Sequence, residues 1–177
     1  MKKMLGEERR LQLLIQLQKS KAPITGTDLA KFANVSRQVI VNDMTLLKAR
    51  NEPIIATSQG YLYMHPDQLT QTVERTIPCF HSSEDAKDEL LTIVDRGGTV
   101  KNVIVEHPIY GEITASIMVS NRHDVERFIQ RVQDTKASYL SELTGGTHLH
   151  VISAPSLETL DVIENALRAK GYLVNEQ

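Results

Sequence analysis

Leu11, Leu14, Ile15 and Leu17 recur at helical spacing and predict a first helix over about residues 7–20. Pro23 interrupts the pattern. Thr25, three residues before Asp28, then reads as a capping-box-like start to a second helix that ends near Ala33. Asn34 suits the turn that follows, because Asn tolerates positive φ. Ser36 can cap a third helix by accepting a bond from the amide of Gln38 or Val39, and that helix runs to about Arg50. Ile40, Met44 and Leu47 form its inward stripe, while Arg37, Gln38, Val41 and Asn42 lie on other faces near its start. After Pro53 the apolar residues of 54–56 and 61–63 flank a turn at 57–60 that holds Gly60, the pattern of a short hairpin. Three helices followed by a hairpin predict a winged helix-turn-helix domain over residues 1–65.

Residues 65–72 are polar and read as a linker or a short connecting turn. Beyond them the pattern predicts a strand over 73–80 and a helix capped by Ser82 or Ser83 that runs to about Arg96, where Gly97 and Gly98 end it. Strands over 100–106 and 113–119 flank a turn at 108–111. Asn121 caps a helix through Val132, and 135–145 is a loop or short helix. A strand over 147–153 precedes a helix from Ser156 to about Lys170, stopped by Gly171, and 172–174 forms a last short strand. Over 72–177 this predicts an α+β sandwich, with helices on one face of a mostly antiparallel sheet. There is no internal repeat and no low-complexity tract.

At 41% hydrophobic and 24% charged residues, the 177-residue chain is ordinary globular material. No apolar run approaches the roughly 20 residues that span a bilayer, and residues 1–8 lack the apolar core of a signal peptide. A cytoplasmic protein with no membrane partner is expected. Cys79 is the only cysteine, so no internal disulfide forms, and its neighbour Phe80 suggests a buried thiol. The net charge of −2 argues against a nucleic-acid partner, but its distribution does not. Residues 1–65 carry ten Lys and Arg against five Asp and Glu, a formal +5, and residues 66–177 carry a formal −7. A basic head on an acidic body fits a DNA-binding module joined to a regulatory one.

The third helix would place its first turns in the major groove. There Arg37 can bond guanine O6 and N7, Gln38 or Asn42 can bond adenine N6 and N7, and Val41 can meet a thymine methyl. Ser36 has a second use as a phosphate contact. In the wing, Gln59 and Tyr61 can reach phosphate or the minor groove. Winged helices also serve in protein contacts, but the basic charge and the Ser-Arg-Gln opening favour DNA.

His148 and His150 are two apart in a strand and so share one face, behind Gly145 and Gly146. Two imidazoles so placed are half of a metal site, since the neutral ring offers a lone pair. His81, at the end of another strand, and Glu89, in the helix that follows, could converge on them, although spacing alone does not establish this. The alternative is a polar strand face bonded to Glu side chains. His107 opens a turn between strands and reads equally as a turn histidine or a pocket residue. Asp85 and Asp88 read as solvated helix acids, and His65 and His123 lie near element boundaries.

The chain resembles the NiaR-type repressors, which respond to nicotinic acid and join a winged helix-turn-helix to a domain named for three histidines. The resemblance covers nearly the whole chain. It rests on Val35-Ser36-Arg37-Gln38, His81 with Glu89, the run Glu106-His107-Pro108-Ile109-Tyr110-Gly111-Glu112-Ile113, and Gly145-Gly146-Thr147-His148-Leu149-His150. It implies a metal held by His81, Glu89, His148 and His150, an HPr-like fold for the second domain, a homodimer, and nicotinic acid as corepressor at NAD-biosynthesis and niacin-uptake operators. His107 and Tyr110 are candidate ligand-binding residues on the same basis. Three imidazoles and a carboxylate suit nickel or zinc, with iron also possible, and affinity order favours nickel over iron. Two rivals stand beside this reading. In one, the ion itself is the signal. In the other, an open metal position serves hydrolysis, but no nucleophile–base pair or phosphate loop accompanies it, and only Glu106 or Glu112 would be left as base. A non-enzymatic regulator is therefore expected.

Overall fold

The computed structural model describes residues 5–65 and 72–174, and the chain divides into two compact units, Met1–Leu69 and Thr70–Gln177. Most of the expected 65–72 connection lies outside the described residues.

The first unit has helices α1 (Gly6–Lys19), α2 (Gly26–Ala33) and α3 (Arg37–Ala49), then a hairpin of β1 (Ile54–Thr57) and β2 (Gly60–Tyr63). Its helix ends are those the sequence predicts. Thr25 accepts a bond from the Asp28 amide, Asn34 adopts the left-handed conformation at φ 51°, and Ser36 accepts from the Val39 amide. The Thr25 and Ser36 side chains, and the Asn34 backbone amide, each satisfy an orphan group at a helix end. Ile40, Met44 and Leu47 of α3 bury against Leu13, Leu17, Leu29 and Ala33. A charge network adds to this apolar contact. Arg9 of α1 donates two hydrogen bonds to the buried carboxylate of Asp43 in α3, at 2.6 and 3.2 Å, and Arg10 donates a third at 3.1 Å. The wing folds back on the α1–α2 connection, where Ile24 and Tyr61 exchange backbone hydrogen bonds. Gly60 sits there at φ +135°, and a Cβ on it would collide with the Ile24 carbonyl.

The second unit is one antiparallel sheet of β3 (Val73–Phe80), β4 (Thr99–His107), β5 (Gly111–Val119) and β6 (Thr147–Ala154), in the order β3-β6-β4-β5. Helices α4 (Ala86–Val94), α5 (Arg122–Thr135) and α6 (Leu157–Ala169) supply the rest of its core. Along β6, His148, His150, Ile152 and Ala154 are buried on one face, while Leu149, Val151 and Ser153 are half-buried on the other. The alternation is that of a sheet with helices on one side. Ile152 and Val100 meet Leu160, Ile163 and Leu167 of α6 and Ile93 of α4 in a continuous core. The molecule is α+β throughout.

Two local expectations are corrected. Neither Ser82 nor Ser83 caps α4 with its side chain. A 3-10 turn, Ser83–Asp85, precedes the helix, and Ser82 Oγ donates instead to Asp85. The 135–145 segment holds a 3-10 turn, Leu140–Thr144, in keeping with the loop or short helix expected there. Residues 172–174 do not form a strand: Leu173 makes a single bridge to Cys79. No helix among the described residues is long and apolar enough to cross a membrane.

Candidate metal centre and DNA-reading head

Four buried polar side chains converge inside the second unit. His81 follows the end of β3, Glu89 lies in α4, and His148 and His150 face inward from β6 (2–8% exposed). The Glu89 carboxylate is their common point. Its Oε2 lies 2.8 Å from His81 Nε2 and 3.3 Å from His150 Nε2, and its Oε1 lies 3.4 Å from His148 Nε2.

The backbone sets the orientation of each imidazole. His81 Nδ1 faces the Ser82 carbonyl at 2.8 Å, His148 Nδ1 the Gly146 carbonyl at 2.8 Å, and His150 Nδ1 the Asn102 carbonyl at 2.7 Å. A carbonyl oxygen only accepts, so each Nδ1 carries the proton and donates. In the neutral ring, each Nε2 then presents a bare lone pair toward Glu89. This is how metal-binding histidines are held by an outer partner. Two local features build the arrangement. A bulge in β4 at Val100/Asn102 accompanies the turn of the Asn102 carbonyl toward His150, while Asn102 Oδ1 takes the Val151 amide. Gly146, at φ +103°, lets the β6 entry run so close to His81 that a Cβ would strike its carbonyl.

Burial raises the cost of a charge on Glu89, but the positive field of His150 and the close approach of His148 and His81 hold its carboxyl well below the usual range. Burial likewise pushes His81 and His150 down, and Glu89 outweighs it, so both rise above the ordinary histidine value. The cluster is therefore arranged around positive charge.

One wall of this cluster opens on a cavity of about 250 Å³. Val103, Ala115, Ile117, Phe128 and Tyr139 make most of its surface apolar, and Ser141 adds a buried hydroxyl. A cavity of about 150 Å³ accommodates benzene, so this one admits a substituted six-membered ring. His107 and Tyr110, the expected ligand-binding residues, do not line it. They sit at the β4–β5 turn, where His107 Nδ1 accepts the Ile109 and Tyr110 amides and Tyr110 is 76% exposed. The His107 ring is a turn acceptor.

In the first unit, Ser36, Arg37, Gln38 and Asn42 are exposed at the start of α3, and Val41 is half-buried. Gln38 Nε2 donates to Asn42 Oδ1 at 3.3 Å, so the two amides are held side by side. Gln59 does not join them. It is 6% exposed, enclosed where the wing folds onto Ile24, and its expected phosphate contact is corrected.

Comparison with known proteins identifies the two domains. An HTH domain model matches residues 9–62 and a 3H domain model matches residues 74–176. The chain is 52% identical to "Transcription repressor NadR" of Bacillus subtilis over 98% of its own length and 97% of that protein's. It is 40% identical to "Probable transcription repressor NiaR" of Thermotoga maritima, over 98% of each. The chain belongs to the NiaR/NadR-type repressors.

For a NiaR/NadR-type chain, the cluster's donor set is compatible with a divalent transition metal. His81 Nε2 and Glu89 Oε1 are buried and make no hydrogen bond, although both have close polar neighbours. Such orphans are rare in water-excluded interiors, and an ion between them would satisfy both. Inspection of the sequence missed Cys79. Its Sγ, a Glu89 oxygen and a His148 nitrogen lie within 4.8 Å of one another. The signal was the Cys79-x-His81 spacing, which puts thiol and imidazole on one side of a strand. Phe128, Tyr139 and Ser141 carried no comparable signal, because a cavity wall has no period.

Proposed function

We propose that this protein is a homodimeric DNA-binding repressor of NAD-biosynthesis and niacin-uptake genes, with nicotinic acid as corepressor. Its second unit would hold a divalent metal, nickel or zinc before iron, through His81, Glu89, His148 and His150. The observation that carries this reading is the set of three backbone-anchored imidazoles aimed at one buried carboxylate, beside a ring-sized apolar cavity. Bound there, the metal would supply a Lewis-acidic anchor for an anionic or nitrogen donor of the effector. The chain's own residues do the rest. Val103, Ile117, Phe128 and Tyr139 exclude water from a planar ring, and the Nδ1–carbonyl bonds hold the imidazoles in place. Arg37, Gln38 and Asn42 present the base-reading groups, with Val41 at their side and Ser36 spent on the cap. The relatives' names, both transcription repressors, support the DNA-binding role.

Two heads would read a two-fold operator, and effector binding would favour the arrangement that matches its half-sites. By linkage, operator DNA then tightens nicotinic acid by the same factor. Calorimetric titration of nicotinic acid into metal-loaded and metal-stripped protein tests the reading. Binding to the loaded form alone supports it. Equal binding to both would reduce the metal to a structural part. Metal-dependent operator binding that ignores nicotinic acid would make the ion itself the signal.

A further inference from the structure

We propose that Cys79 is a further protein ligand of the metal, reaching it through Sγ on the core side of Glu89. The inference rests on the reading that a metal occupies the histidine–Glu89 cluster, and it extends the donor set from nitrogen and oxygen to sulfur. Strand pairing places the residue. Cys79 lies directly opposite His148 in the β3–β6 ladder and two residues before His81, so all three project from the same face. Cys79 Sγ, a Glu89 oxygen and a His148 nitrogen stand within 4.8 Å of one another. Sulfur and nitrogen ligands of one zinc ion stand at most about 4.4 Å apart, so small side-chain adjustments bring all three atoms onto a single ion.

A second observation points to an ion at this place. Glu89 is 2% exposed, and its Oε1, the oxygen beside His148, accepts no hydrogen bond. The Cys79 thiol has a weak contact of 3.7 Å with the Ile77 carbonyl and stands beside the Glu89 carboxylate. An oxygen without a hydrogen bond, a ring nitrogen and a sulfur share one dry spot. Cys79 is fully buried and does not line the adjoining cavity, whereas His81, Glu89, His148 and His150 all do. The sulfur therefore approaches from the core and leaves the cavity side of the ion free for an effector. On loading, the S–H bond breaks, the proton leaves to solvent, and the sulfur electron pair forms the metal bond. A thiolate softens the donor set and favours zinc or nickel over harder ions.

The test loads the metal-stripped full chain with Co(II) alone. A thiolate-to-cobalt charge-transfer band in the near ultraviolet is expected, together with ligand-field bands in the visible. Cys79→Ser should lose the first and keep the second. X-ray absorption on the zinc-loaded, unsubstituted protein guards against a variant that fails to fold, and a sulfur shell at about 2.3 Å is expected. Ligand-field bands with no charge transfer, and a shell of nitrogen and oxygen only, would overturn the cysteine ligand and leave the histidine–glutamate site standing. Failure to retain cobalt or zinc at all would overturn both.

Discussion

His81 Nε2 lies 2.8 Å from Glu89 Oε2, yet it makes no hydrogen bond. The ring's proton is committed on the other side, where Nδ1 donates to the Ser82 carbonyl. A lone pair and a carboxylate that face each other in a dry interior repel unless a cation stands between them. His150 Nε2 and His148 Nε2 face the same carboxylate at 3.3 and 3.4 Å.

The first consequence concerns metal and stability. Saturating the site at about one hundred times its dissociation constant should stabilise the second unit by about 2.7 kcal/mol, and chelation should remove that gain. Glu89→Gln keeps the shape and removes the charge, so its melting temperature should no longer respond to nickel or zinc. Thermal scans with and without chelator measure this. An unshifted transition in the unsubstituted protein would count against a metal at the cluster.

Gly146→Ala should damage both fold and site. Its Cβ would meet the His81 carbonyl at a φ that L residues rarely adopt, and strain of this kind costs about 1–3 kcal/mol. The Gly146 carbonyl also anchors His148, so metal affinity should fall with stability. An alanine variant that melts and loads metal as the parent does would show that the close approach is dispensable.

Ala115→Leu pushes extra carbons into the cavity without touching a proposed ligand. Nicotinic acid binding should be lost by calorimetry while metal content stays at the parental level. Retained binding would move the effector out of this cavity.

On DNA, Arg37→Ala should cost roughly 1–3 kcal/mol of operator affinity and relax preference at one base pair. Gln59→Ala should leave the salt dependence of binding unchanged and lower the stability of the head instead, because Gln59 is buried. Binding curves at several salt concentrations, paired with melting curves, separate the two roles. A reduced salt slope for the Gln59 variant would restore it as a phosphate contact.

Asp43→Ala removes the buried carboxylate to which Arg9 and Arg10 donate from α1. Removing one partner of a buried pair costs about 3–5 kcal/mol. Urea unfolding of the first unit should register a loss of that size, and a loss below about 1 kcal/mol would show that Arg9 finds water instead.

The helix ends were legible because capping is local. Ser36, Asn121 and Ser156 act on amides within three residues of themselves. The Ser82 region was not legible, since two adjacent serines and an acid offered competing caps and the 3-10 turn resolved the competition. Gln59 was misjudged because its burial depends on how the wing turn packs, which the residues beside it do not signal. The turn at His107 and Tyr110 was legible from the flanking strands, whereas their distance from the cavity followed only from the fold.

Periodicity and capping chemistry determined, from the sequence by itself, the order of helices and strands, the α+β class and the shared face of His148 and His150, because each depends on residues a few positions apart. Tertiary structure alone decided that Glu89 reaches across from α4 and that Cys79 lies opposite His148. It alone aimed the Asn102 carbonyl at His150 and left a cavity beside the cluster. Those relations join residues tens of positions apart through strand pairing and helix packing, and such long-range contacts leave no periodic trace along the chain.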